Sequence, residues 1–232
     1  MIFTSFFKAL GQIGDPRFRR VLMLGVGLTF VLLIAFYAGF LWLLQAMMGP
    51  EQTLPLIGQV QWLDDLVSWS SLLFMVILSV FLMVPVASAI TSMFLDEVAQ
   101  AVEDRHYRHL PDVPKMPLWD SLRDTVNFLG VLIGANVLAF IAYALLPWAA
   151  IFIFWALNGY LLGMEYYTLA AMRREGRARA KELRRQHRGT IWFAGTLMAI
   201  PLSIPLMNLV IPILGAATFT HIYHGLNAKR PR

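Results

Sequence analysis

The 232-residue chain has no cysteine, which excludes disulfides, thiolate metal sites and cysteine nucleophiles. Charge is scarce too. Asp, Glu, Lys and Arg make up 14% of the residues, where a soluble domain carries about a quarter. Apolar residues reach 58%, and mean hydropathy is +0.63. Such a chain has too little polar surface to coat a globule, so lipid is the missing solvent. Strand-like alternation is absent, and the apolar runs are too long for strands. There is no P-loop, nucleophile elbow or zincin motif, so neither an enzyme nor a cofactor is expected. The net charge of +5 suits membrane orientation and anionic lipid headgroups, with no nucleic-acid partner expected. These absences leave one class: an all-α integral membrane protein, a single membrane domain over residues 1–232.

Spanning the hydrocarbon takes about 20 apolar residues in a helix. Six segments approach or pass that length. Val21–Met48 is the first, too long for a signal-peptide core and without a small-x-small cleavage site, so it is read as mature structure. Leu66–Leu95 follows, with a kink expected at Pro85. Val126–Leu146 and Trp148–Met172 form a hairpin (126–172) joined at Pro147. Ile191–Leu206 and Leu209–Leu226 form a second (191–226), with Pro201, Pro205 and Pro212 crowding its turn. Ahead of them, Phe3, Phe6, Phe7, Leu10 and Ile13 recur at helical spacing opposite Lys8 and Gln12. Residues 1–14 therefore read as an amphipathic helix lying in the interface.

The charges set the orientation. All 19 lysines and arginines fall within residues 8–20, 105–123, 173–188 and 229–232, while 49–65 holds Glu51, Asp64 and Asp65 and no base. Positive loops stay cytoplasmic, which places both termini and the basic linker 173–188 inside and the 49–65 loop outside. Both hairpins then start and end inside. The last, with short legs and a proline-rich uncharged tip, is expected to penetrate only partway, because irregular backbone is tolerated at depth where protein or water surrounds it. The middle hairpin is compatible with either depth. The second long helix, 66–107, would extend about 60 Å at about 1.5 Å per residue. It is expected to outrun the bilayer as a stalk, with Val98 and Val102 on an apolar stripe and Asp96, Glu97, Glu103 and Asp104 facing water.

Asp15-Pro16-Arg17-Phe18-Arg19-Arg20 is the most informative stretch. Asp15 suits an N-cap and Pro16 the first helical position. Arg17, Arg19 and Arg20 then stand where the helix dipole is positive, an unfavourable place for cations. Two readings resolve this: an oxyanion shares the site with the guanidinium groups and free amides, or the arginines snorkel to lipid phosphates. The eight bases of 173–188 against Glu175 and Glu182 likewise read as an anion-concentrating vestibule or as a lipid-bound patch. Glu165 is either a functional intramembrane acid or an interfacial carboxylate near Arg173. Asn136, Asn158 and Asn208 are candidate interhelical hydrogen-bonders. Gly130-x-x-x-Gly134 and Gly159-x-x-x-Gly163 would pack the two hairpin legs together or on another protomer. Glu103, His106 and His109, with His221 and His224, have helical metal-ligand spacing but no further close ligands, so solvated histidines and no metal are expected.

These segments resemble the CysZ sulfate permease family, within the etoposide-induced protein domain group. Asp15–Arg20 is similar to the family's Pro-Gly-(Leu/Ile)-Arg-Arg segment at the start of its first long helix. Leu95-Asp96-Glu97 resembles the acidic end of its second. Ile204-Pro205-Leu206-Met207-Asn208-Leu209, Pro212 and Gly215-Ala216-Ala217-Thr218 match its C-terminal hairpin, and the likeness covers nearly the whole chain. The resemblance implies a homo-oligomeric inner-membrane protein of bacteria that passes sulfate or a related oxyanion inward for cysteine synthesis. It implies a sulfate site made by Arg19 and Arg20 with the N–H groups of Arg17 and Phe18. Two departures mark a divergent branch. Arg17 replaces the family glycine, and Glu165-Tyr166-Tyr167-Thr168 stands where the family carries Asp-Tyr-Pro. The alternative function is a non-transporting membrane scaffold that shapes the bilayer or binds partners.

Overall fold

The computed structural model describes residues 1–48, 53–54, 58–59, 94–111, 113, 118–204 and 207–227. Its helices, in chain order, are α1 (Ile2–Gly11), α2 (Pro16–Met48), α3 (Leu95–His106), α4 (Leu118–Leu145), α5 (Ala150–Gln186), α6 (Arg188–Ala199) and α7 (Met207–Asn227). Short 3-10 turns lie at Pro147–Ala149 and Ile200–Ser203. Among the described residues, three stretches are long and apolar enough to cross a bilayer: Pro16–Phe40, Pro147–Gln186 and Met207–Asn227. The all-helical membrane class expected from composition is the one observed. Most of the expected span Leu66–Leu95, with Pro85, lies outside the described residues. In the 49–65 loop, Thr53–Leu54 pairs antiparallel with Gly58–Gln59. The sequence pattern suggests no strand there, because a two-residue ladder is too short to leave an alternation.

Helix α7 is the hub. Every residue from Ile211 to Tyr223 is buried, and the helix packs against α1, α2, α3 and α5. An all-round apolar helix belongs inside the protein, and this one is covered by protein more than by lipid. Helix α1 buries Ser5 and Ala9 where it docks on α7. Phe3 and Phe7, 62% and 63% exposed, form its outward stripe with Leu10 and Ile13. That stripe is what an interfacial helix offers to lipid. Helix α2 turns Phe18, Val21, Gly25 and Thr29 inward at three- and four-residue spacing and leaves Met23, Phe30, Val31 and Ile34 exposed.

The stalk expectation is corrected. Helix α3 starts at Leu95 after a non-helical Phe94, so no single helix runs through Phe94; residues 66–93 of the expected 66–107 helix lie outside the described residues. It does not stand in water: Val98, Ala99 and Val102 are fully buried, and α3 packs on α7 and α2. Glu103, expected to face solvent, is 3% exposed. Its basic partners come from about 70 to 120 positions further along the chain, a separation that local periodicity does not report.

The glycine motifs find a third arrangement. Gly159 and Gly163 pack not on the other leg of their hairpin but on α6, against Ile191, Gly195 and Thr196. Gly130 and Gly134 face open space. Trp192 Nε1 donates to the Ala156 carbonyl at 2.9 Å and Trp155 Nε1 to Ser203 Oγ at 3.0 Å, pinning α6 and its turn to α5. Within α5 the chain breaks helical geometry at Gly176 (φ 72°, ψ 173°), a region only glycine enters cheaply. The break folds residues 177–186 back, so that Arg184 Nη1 reaches Thr168 Oγ1 at 3.2 Å. The 12 residues of α6 rise only about 18 Å at about 1.5 Å per residue.

Candidate anion-binding site

The start of α2 is built as its sequence suggests. Asp15 Oδ1 accepts the Arg17 backbone N–H at 2.9 Å, and the Asp15 carbonyl accepts the N–H of Arg19 at 3.1 Å. Pro16 has no N–H to satisfy. Gln12 fixes the approach: its Nε2 donates to Asp15 Oδ2 at 3.0 Å and to the Ala101 carbonyl of α3 at 3.1 Å. Phe18 anchors the turn from below, 1% exposed in the core. Of the first-turn amides, that of Arg17 is taken by the cap. Among the described residues, Phe18 N–H has no such acceptor.

The three arginines divide. Arg17 turns to α3 and pairs with Asp104, whose other oxygen accepts from Gln100 Nε2 at 2.7 Å. Arg17 and Gln100 hold the Asp104 carboxyl below its ordinary range. Arg19 and Arg20 stay exposed and line an open groove with Pro16, Met23 and Leu24, all from α2. Among the described residues no carboxylate pairs with either. So the structure puts Arg19 and Arg20 on one groove, leaves buried Phe18 out of its lining, and uses Arg17, both its amide and its guanidinium, for other bonds.

The basic linker is neither loop nor free patch at its start. Arg173, 8% exposed, pairs with Asp96 and Gln100 of α3, and its Nη2 lies 3.4 Å from Glu103 Oε2. Arg174 forks onto Glu103, Nε to Oε1 at 2.8 Å and Nη2 to Oε2 at 2.9 Å. His224 Nε2 stands 2.9 Å from the same Oε1. Burial works to raise the Glu103 carboxyl, but the hydrogen bonds of His224 and Arg174 and the charges of Arg173 and Arg174 outweigh it. They hold it at about 2. Glu103 is thus ionised at neutral pH, so His224 donates. In the sequence, Glu103 and His224 read as metal ligands or solvated groups, and Arg173 and Arg174 as part of a vestibule or lipid-bound patch. The signal that finds them is that an apolar chain must pair its acids, and α3 carries four.

The other candidates are scattered. Asn158 Nδ2 donates to its own helix at Phe154 O, 2.9 Å away, and not across helices. Asn208 sits half-buried four residues before Pro212, whose missing N–H removes a helical bond to the Asn208 carbonyl. Asn136 is exposed on α4. Glu165 is half-buried on α5, and Arg173, eight residues on, goes to α3. His106 and His109 are exposed, but His221 is 2% exposed, with Nδ1 3.0 Å from the Tyr107 hydroxyl. It is a core histidine, not a solvated one. No grouping fit for a metal occurs among the described residues.

A family model described as Sulfate transporter CysZ/Etoposide-induced protein 2.4 matches residues 5–212, which include the whole Asp15–Arg20 segment. The chain belongs to this family. Among curated proteins, none matches it. Membership makes it a sulfate-transporter-like membrane protein, of a family whose substrate class is an oxyanion.

Proposed function

We propose that the chain is an inner-membrane channel or permease that carries sulfate, or a closely related oxyanion, into a bacterial cell for cysteine synthesis. Arg19 and Arg20 bind the anion, with the Phe18 amide as a third donor. The observation that carries this is the exposed arginine pair, without a carboxylate partner among the described residues, held on the positive end of a capped helix. Cations placed against a helix dipole are unfavourable alone and become favourable around a bound dianion. Guanidinium forks match the oxygens of a tetrahedral oxyanion. No nucleotide motif occurs in the sequence, so a gradient or consumption inside drives flux. The chain works as a homo-oligomer among anionic lipids, with both termini cytoplasmic and the α6–α7 hairpin entering the bilayer only partway.

The test is radiolabelled sulfate uptake into liposomes holding the purified protein. Uptake above that of empty liposomes, and lost with Arg19→Ala/Arg20→Ala, is the expected result. Uptake no better than empty liposomes, with insertion demonstrated, would sink the reading and leave the membrane scaffold.

A further inference from the structure

The surroundings of Glu103 are richer in donors than one ion pair needs. Four donor atoms converge on its two oxygens: Nε and Nη2 of Arg174, Nη2 of Arg173 and Nε2 of His224. They come from α5 and α7, so the donor set is assembled without any group from the helix that carries Glu103. Arg174 is fixed further by Nη1 donating to the Pro111 carbonyl at 3.1 Å. Tyr107 stacks on the His224 ring with centroids 4.1 Å apart, which sets the imidazole plane. Arg173 is held by Asp96 from its other side, and among the described residues its buried Nε has no hydrogen-bond partner. A guanidinium fork, a second guanidinium and an imidazole N–H, oriented by neighbours, are the donor set of an oxyanion site. Here the oxyanion is the chain's own.

We propose that Arg173, Arg174 and His224 form a second oxyanion site, taking sulfate-like ions, which the Glu103 carboxylate occupies as a tethered anion in this conformation. The site is distinct from the exposed Arg19–Arg20 pair, because it is buried and lined by other helices. Its charge balance follows from the pairs. With Asp96 assigned to Arg173, Glu103 answers Arg174, 14% exposed, and removing its charge leaves a largely buried cation uncompensated, which is unfavourable. A free anion therefore gains the site only when the carboxylate leaves it. On the reading that the protein conducts sulfate, Glu103 would act as a gate in series with the outer pair. The site itself does not depend on that reading.

The experiment uses the full-length chain carrying Arg19→Ala/Arg20→Ala, so that the outer pair contributes nothing. Thermal melting in detergent is followed against sulfate, and against formate as the analogue of the deleted carboxylate, with and without Glu103→Ala. Glu103→Ala is expected to melt lower in anion-poor buffer and to recover saturably with both ions. Sulfate's general stabilisation does not saturate and is common to both chains, so it cancels in the comparison. Adding Arg174→Ala is expected to abolish the recovery. A sulfate response equal to that of the Glu103-containing chain, or one that survives Arg174→Ala, overturns the proposal. If Glu103→Ala yields no folded protein in any of these buffers, Glu103→Gln decides: it vacates the charge while keeping the volume. A saturable sulfate gain beyond that of the Glu103 chain then supports the site, and no gain overturns it. Liposome uptake with Arg19 and Arg20 intact judges the transport reading separately.

Discussion

The backbones of Gly159 and Gly195 are in contact: a Cβ on Gly195 would stand 2.0 Å from the Gly159 carbonyl oxygen. No side-chain rotation relieves such a clash, because the obstacle is main chain. Gly195→Ala is therefore expected to destabilise the protein by about 1–3 kcal/mol or more, the usual cost of overpacking. Gly134→Ala, where the added methyl meets open space, is expected to leave the melting temperature unchanged or slightly raised. Equal effects of the two in a detergent melt would show that α5 and α6 do not cross this closely.

Arg19 and Arg20 carry the proposed anion site. Alanine at either is expected to weaken sulfate binding by about 1.5–3 kcal/mol, the worth of a charged hydrogen bond. Lysine should restore only part of the loss, since it keeps the charge and loses the fork. Calorimetric titration of sulfate at fixed ionic strength measures this. A double alanine variant that folds and binds as well as the parent would make these arginines lipid anchors.

Arg17 separates the site from its support. Its pair with Asp104 is half exposed, at 51% and 41% for the two side chains, and exposed pairs contribute about 0–1 kcal/mol. Arg17→Gly is expected to cost that much stability and to change sulfate affinity by less than about threefold, or about 0.6 kcal/mol. A loss as large as that of Arg20→Ala would make Arg17 a direct ligand after all.

Glu103 predicts a pH dependence. Its carboxyl lies at about 2 in the fold against an ordinary 4.5. Folding therefore favours the ionised form, and the sign is fixed: the stabilisation is complete above about pH 4.5 and fades as pH falls toward 2. The shift corresponds to roughly 3 kcal/mol at neutral pH. The melting-temperature gap between the parent and Glu103→Gln should be wide at pH 6 and mostly closed near pH 2. A gap unchanged between pH 6 and pH 3 would contradict the ionised, multiply bonded carboxylate.

The proposed orientation is tested by labelling, which is clean in a chain without cysteine. A cysteine at Thr53 is expected to react with an impermeant reagent from outside, and one at Arg179 is not. The reverse pattern would invert the topology, and equal labelling would mean two orientations.

Much was legible before any tertiary contact was known. The cap at Asp15, the proline at the first helical position and the arginines behind it are local features, and α2 begins where they place it. The outward stripe of α1 follows from three- and four-residue spacing. Glu103 was not legible. Helical periodicity marks the face a residue occupies but not what will cover that face, and an acid on the polar side of α3 reads as solvated until Arg174 and His224 arrive from elsewhere. Gly159 likewise announced a close approach without naming its partner.

The sequence by itself determined the solvent of this protein and its helices, because hydropathy, length and capping act within one segment. Only the tertiary structure decided which charges are spent and which stay available. Arg17, Arg173 and Arg174 are held by α3, while Arg19 and Arg20 stand open at the start of α2. Charges separated by scores of residues pair according to how the helices pack, and that packing is set by the whole chain closing around α7.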